Sequence, residues 1–183
     1  MDKKHLMSIF ILVILALSVF GIALQYNLND STSVKIRGTK FTQFNGGWVG
    51  YKDNNKIFIT TQPDLLKDIQ VPEVSLSQLN SISKIYFSTN PNNQIPNNAI
   101  FSIQESLFPY LNPVTVSCTE DSTACAALPI KTCSDASDST AVIQTQISDI
   151  EKISFENNCL LIQGPREKIV YLVEAAILKL NGI

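Results

Sequence analysis

The chain has 183 residues, of which 45% are hydrophobic and 16% charged, and a formal net charge of -2. No basic stripe runs through it, which excludes a dedicated nucleic-acid binder. The single histidine, His5, precedes every segment able to build a core. The folded part therefore cannot hold a Ser-His-Asp set, a Cys-His set or a histidine-ligated zinc centre.

Leu6 to Leu24 is a run without a charge, broken only by Ser8, Ser18 and Gly21. Such a run is long enough to cross a ~30 Å hydrocarbon layer as a helix. Lys3 and Lys4 precede it, and its far flank, Gln25 to Ser33, carries Asp30 and no cation. The charge asymmetry places the N-terminus in the cytoplasm and the rest outside. The expected organisation is a cytoplasmic segment 1–5, a transmembrane signal-anchor helix 6–24, a stalk 25–33 and an extracytoplasmic domain 34–183. Gly21 and Ala23 supply the rival reading, a cleaved signal peptide, although the run exceeds the usual length of such segments. Asn29-Asp30-Ser31 is a glycosylation sequon, with Asn29 as its acceptor.

Along the domain, Val34 to Arg37 and Lys40 to Phe44 read as short strands around Gly38. Gly46-Gly47 reads as a turn, and Trp48 to Tyr51 with Lys56 to Thr60 as a hairpin closed by Asp53-Asn54-Asn55. Phe41, Phe44, Trp48, Tyr51 and Phe58 are expected to cover one sheet face. Pro63 opens a short helix carrying Leu65, Leu66 and Ile69, which Pro72 stops. Ile82 to Ser88 reads as a strand and Ala99 to Leu111 as a helix, with apolar residues at spacings of three and four. Val114 to Ser117 is the next strand, giving a strand-helix-strand crossover unit. Ala126 to Thr132 reads as an edge strand, because Pro129 cannot serve a central one. Ala141 to Thr145 follows, then Lys152 to Phe155 paired with Cys159 to Gln163 through Glu156-Asn157-Asn158. Pro165 starts a last helix lined by Ile169, Leu172, Val173, Ala176, Ile177 and Leu180, with Gly182 at its cap. The fold class is α/β or α+β: a mixed sheet with an antiparallel N-terminal hairpin unit and two main packed helices, preceded by a transmembrane helix.

Cys118, Cys125, Cys133 and Cys159 all lie in the domain. An even number in an exported chain reads as disulfides, and four cysteines allow three pairings. Cys118–Cys125 with Cys133–Cys159 is favoured, the first clamping a local loop and the second tying two strand starts. Zinc is the rival, but there is no C-x-x-C spacing. Glu120, Asp121, Asp135 and Asp138 are the acids near the cysteines, and only converging loops would make them calcium ligands. Gly164-Pro165 opens a helix beside Arg166, without the glycines that wrap phosphate. No catalytic, cofactor-binding or metal-binding residue is assigned, and no cofactor is expected.

Several segments taken together carry a resemblance. They are Lys40-Phe41 to Trp48, Lys56 to Thr60, Pro63 to Ile69, and Lys84-Ile85-Tyr86-Phe87-Ser88-Thr89-Asn90-Pro91-Asn92. Leu128-Pro129-Ile130-Lys131-Thr132-Cys133 and Asn158-Cys159-Leu160-Leu161-Ile162 follow. Their order resembles an uncharacterised family of archaeal single-pass membrane proteins. The resemblance spans most of the domain, implies a single membrane pass and supports Cys133–Cys159, but implies no chemistry. The sequence thus leads to a membrane-tethered extracytoplasmic protein acting in interaction or cell-envelope assembly. Its expected partners are the lipid bilayer, envelope proteins or a second copy, and no nucleic acid. The alternative is an exported ligand-binding module or histidine-free hydrolase.

Overall fold

Among the described residues, four hairpins turn on two residues that both lie in the left-handed region: Arg37-Gly38, Asn45-Gly46, Asp53-Asn54 and Asn157-Asn158. Turns of this kind match the twist of the strands they join. The computed structural model describes residues 32–183. In it, the first three turns fold Ser33–Ile36 (β1), Thr39–Phe44 (β2), Gly47–Lys52 (β3) and Asn55–Ile59 (β4) into an antiparallel sheet in chain order. The second turn is Asn45-Gly46 rather than Gly46-Gly47, because Gly47 already belongs to β3. A Cβ at Gly47 would run into the Phe58 ring.

The aromatic residues divide between the two faces of this sheet instead of sharing one. Phe41 and Trp48 are buried in the core with Ile57 and Ile59. Phe58 packs edge-on against Phe101, with ring centroids 5.1 Å apart. Phe44 and Tyr51 are left exposed. Strand alternation decides this, since neighbouring residues point to opposite faces.

A single turn of helix, Pro63–Leu66, and a short helix, Leu76–Asn80 (α1), connect the first sheet to the second. Ser75 caps α1 by accepting from the Gln78 N–H at 3.2 Å. The second sheet contains Lys84–Thr89 (β5), Val114–Cys118 (β6), Thr140–Ile147 (β7), Lys152–Glu156 (β8) and Cys159–Gly164 (β9), in the order β6-β5-β7-β9-β8. Its first four strands are parallel, and only β8 runs against its neighbour. The helix Asn97–Ser106 (α2) joins β5 to β6. It ends before the expected Leu111, and Pro109 falls in a separate turn, Phe108–Tyr110. Proline tolerates the start of such a turn and breaks a helix interior.

The last helix, Ile169–Leu180 (α3), lies at the centre of the domain. Its residues are buried on nearly every side, as a helix apolar all round must be. It packs against β9, β4 and α2, so the two sheets share one core. The helical bonding expected at Pro165 does begin there: the Pro165 carbonyl accepts from Lys168 and Ile169, both at 2.9 Å.

Several expectations are corrected. The cytoplasmic segment, the span at 6–24 and the sequon at Asn29 lie outside the described residues. Among the described residues no helix is long and apolar enough to cross a membrane. The longest has 12 residues, which at 1.5 Å each is about 18 Å, against the ~30 Å a span requires. The membrane-protein family, the lipid bilayer as partner, the tethered envelope role and the single-pass topology are therefore not carried forward. The fold class is corrected likewise. The domain is α+β, with a four-stranded antiparallel sheet and a five-stranded mixed sheet around α2 and α3, and no membrane-spanning helix among the described residues.

Candidate functional site

An edge strand presents unpaired N–H and C=O groups, and folded chains have to manage them. The outer edge of β4 is closed by side chains. The Lys56 N–H donates to the Tyr110 hydroxyl at 2.6 Å. Two residues on, the Phe58 N–H donates to Ser106 Oγ at 2.8 Å, and the Ser106 hydroxyl donates back to the Phe58 carbonyl at 2.7 Å. Two further on, the Thr60 N–H donates to Glu174 Oε1 at 2.6 Å. The two-residue period of the strand sets the spacing, and α2, its following turn and α3 supply the partners.

Glu174 anchors this ladder. It is fully buried in α3, and its carboxyl group accepts four hydrogen bonds. Besides the Thr60 N–H, these come from the Thr60 hydroxyl at 2.8 Å, the Thr61 N–H at 2.9 Å and the Ser102 hydroxyl at 2.7 Å. Buried polar groups are tolerated when bonded in this way. Ser102 is itself fully buried, so no substrate reaches the pair, and Glu174 serves as a joint between β4, α2 and α3. The sequence carried one signal for it: Glu174 is the sole charged residue between Lys168 and Lys179, within an apolar helix.

The connection from β6 to β7 is a strap without regular strand structure. Cys118 is joined to Cys125, with Cα atoms 6.3 Å apart, and Cys133 to Cys159, at 5.3 Å. Irregular chain against a sheet brings its own backbone groups, which need polar partners. The sheet supplies them. The Ser88 hydroxyl donates to the Lys131 carbonyl, and Gln144 Oε1 accepts from the Cys133 N–H at 2.9 Å. Gln144 continues through Gln146 to Gln163 in a chain of side-chain amides.

The strap also meets the edge of β6. The Cys118 N–H donates to the Pro129 carbonyl at 3.0 Å, and the Lys131 N–H donates to the Cys118 carbonyl at 2.8 Å. The expected strand over 126–132 is thus a single parallel bridge, Cys118 with Ile130. Because Cys118 points its backbone groups outward, the two-residue period sends those of Val116 and Val114 outward as well. They have no partner among the described residues. Val116, Leu128 and Ile130 stand at this edge 43%, 38% and 39% exposed.

Two of the four acids considered as calcium ligands, Glu120 and Asp135, are employed elsewhere. Glu120 accepts from the Asn92 amide at 2.8 Å. Asp135 accepts from the Thr132 N–H at 2.8 Å and pairs with Lys131. The Thr132 hydrogen bond, with help from Lys131, holds the Asp135 carboxyl below the usual carboxylate range. Among the described residues no three Asp, Glu, His or Cys side chains come close enough to hold a metal. Arg166 donates to Asn93 at 3.0 Å, tying two loops together. The chain matches no family model, no curated protein and no solved structure.

Proposed function

We propose that residues 33–183 form a peptide-binding module that adds an extended segment of another protein to the outer edge of β6. This reading carries no membrane or envelope role. The observation behind it is the difference among the four sheet edges. β4 is closed by hydroxyl and carboxyl groups. β1 carries the exposed Lys35, and β8 is flanked by the exposed Lys152 and Glu156. Charges of this kind discourage strand addition. β6, Val-Thr-Val-Ser-Cys, has none.

The same edge already takes one extended segment, residues 129–131, at Cys118. A partner strand would continue that pairing along Val114 and Val116. Main-chain hydrogen bonds would give affinity, and Val116, Leu128 and Ile130 would select apolar side chains. With only two outward-facing residues, the contact suits a short peptide. A stable interface between copies needs roughly 800 Å² from each partner.

Val116→Pro tests this cleanly. The Val116 N–H points away from β5, so proline removes an outward donor and keeps the inner ladder. Eight-residue peptides would be selected from a displayed library against the full chain, and amide exchange read with and without the best binder. Protection at Val114 and Val116, with binding abolished by Val116→Pro, is expected. Protection elsewhere, or equal binding by the proline variant, would exclude the β6 edge as the site.

A further inference from the structure

The four two-residue turns differ in one respect. Asn45, Asp53 and Asn157 hold the first position in three of them, and Arg37 holds it in the fourth, at φ 42°. Asparagine and aspartate tolerate the left-handed conformation because their short side chains bond locally. Arginine has no such compensation, so its presence there costs stability. Residues kept in disfavoured conformations cluster where a ligand is held.

Arg37 lines a cleft of about 200 Å³. The β1–β2 turn forms one wall, the segment after Pro63–Leu66 another, and the C-terminal end of α3 the third. Lys67 and Lys179 line it as well, with Leu66 and Leu178. Glu73 is the one acidic side chain in the lining, and it is paired with Lys179 at 2.5 Å. Arg37 and Lys67 have no carboxylate partner among the described residues. A chain with net charge -2 thus gathers three cationic side chains against one acidic side chain around a concave surface.

We infer that this cleft binds a small dianion, with Arg37 and Lys67 as its two charge partners. The guanidinium supplies a planar fork that matches the two oxygens of a carboxylate or phosphate, and the ammonium supplies a compact second charge. The volume suits a ligand the size of a short dicarboxylate or a phosphate group. The cleft is separate in sequence and in lining from the β6 edge, so either proposal can fail alone.

Calorimetric titration of the full chain with inorganic phosphate, succinate and acetate tests it. Phosphate or succinate should bind and acetate should not, and whichever dianion binds names the headgroup. Arg37→Asn should weaken binding at least about tenfold, while its unfolding midpoint stays level or rises, since asparagine fits the turn. Lys67→Gln should weaken the same titration without changing the turn. The inference is overturned if neither dianion binds, if acetate binds equally well, or if Arg37→Asn leaves the affinity unchanged.

Discussion

The edges of β4 and β6 meet the same physical problem and answer it differently. At β4, three successive outward N–H groups find Tyr110, Ser106 and Glu174. At β6, the strap pairs with Cys118 and then leaves, and Val114 and Val116 keep their outward groups. Edge closure here is local and costs buried polar side chains in α2 and α3. A chain that can close one edge so completely, and leaves another uncharged and apolar, marks the second as a surface for pairing. Substitutions in the β4 ladder, in the strap beside β6 and on the surface of β4 break or sharpen this contrast.

The largest effect is expected at Glu174. Glu174→Ala removes the acceptor of four donors and strands the buried Ser102 hydroxyl together with the half-buried Thr60 hydroxyl and the Thr60 and Thr61 N–H groups. Each stranded group costs about 1–3 kcal/mol before relaxation. A net loss of about 4 kcal/mol is expected in urea denaturation, with faster amide exchange at Thr60 and Thr61. Loss of under about 1 kcal/mol would mean that water replaces the carboxyl group and that the ladder is not a core feature. Next in size is the strap. Cys133→Ser with Cys159→Ser should cost about 2–4 kcal/mol and loosen the Gln144 contact while leaving the β4 ladder intact.

What the sequence reveals follows the range of each interaction. Turn positions are local, and Asp53-Asn54 and Asn157-Asn158 announce themselves through side chains that tolerate positive φ. The antiparallel hairpins and the last helix follow from such signals. The strand order β6-β5-β7-β9-β8 does not, because a parallel sheet is closed by contacts far apart in the chain. Ala126 to Thr132 looked like a strand by residue type, but in the fold it crosses as a strap that Cys133 and Ser88 hold in place. The role of Glu174 is not legible in the sequence because helical periodicity assigns a lone acid to a solvent face. Only tertiary packing turns that face inward. The β6 edge was invisible for the same reason: Val-Thr-Val is an ordinary strand until its neighbours are known.

Ser106 offers a smaller and sharper test. Ser106→Ala removes the acceptor for the Phe58 N–H and the donor to its carbonyl. A loss of about 1–3 kcal/mol is expected, with exchange at Phe58 accelerated and exchange at Val114 and Val116 unchanged. If β6 amides also accelerate, the two edges are coupled through the core and cannot be treated as separate features.

The smallest effect should come from the surface link between the same elements. Lys56 and Glu105 join β4 to α2 at 2.8 Å, with side chains 40% and 38% exposed. Water screens such a pair, and about 0.2–1 kcal/mol is the expected coupling in a double-mutant cycle with Lys56→Met and Glu105→Gln. The hydrogen bond to Glu105 raises the Lys56 pKa above its ordinary value. The contribution is therefore complete below the unfolded-state pKa and fades as pH rises through the higher folded value. The coupling should persist at neutral pH and vanish once pH rises past the raised folded-state pKa of Lys56, whereas the Ser106→Ala penalty should stay constant across that range. A Lys56–Glu105 coupling as large as the Ser106 effect would place the closure of β4 in surface charge and not in buried hydroxyls. The contrast with β6 would then rest on the missing charge alone, and a single lysine at Val116 would be enough to erase it.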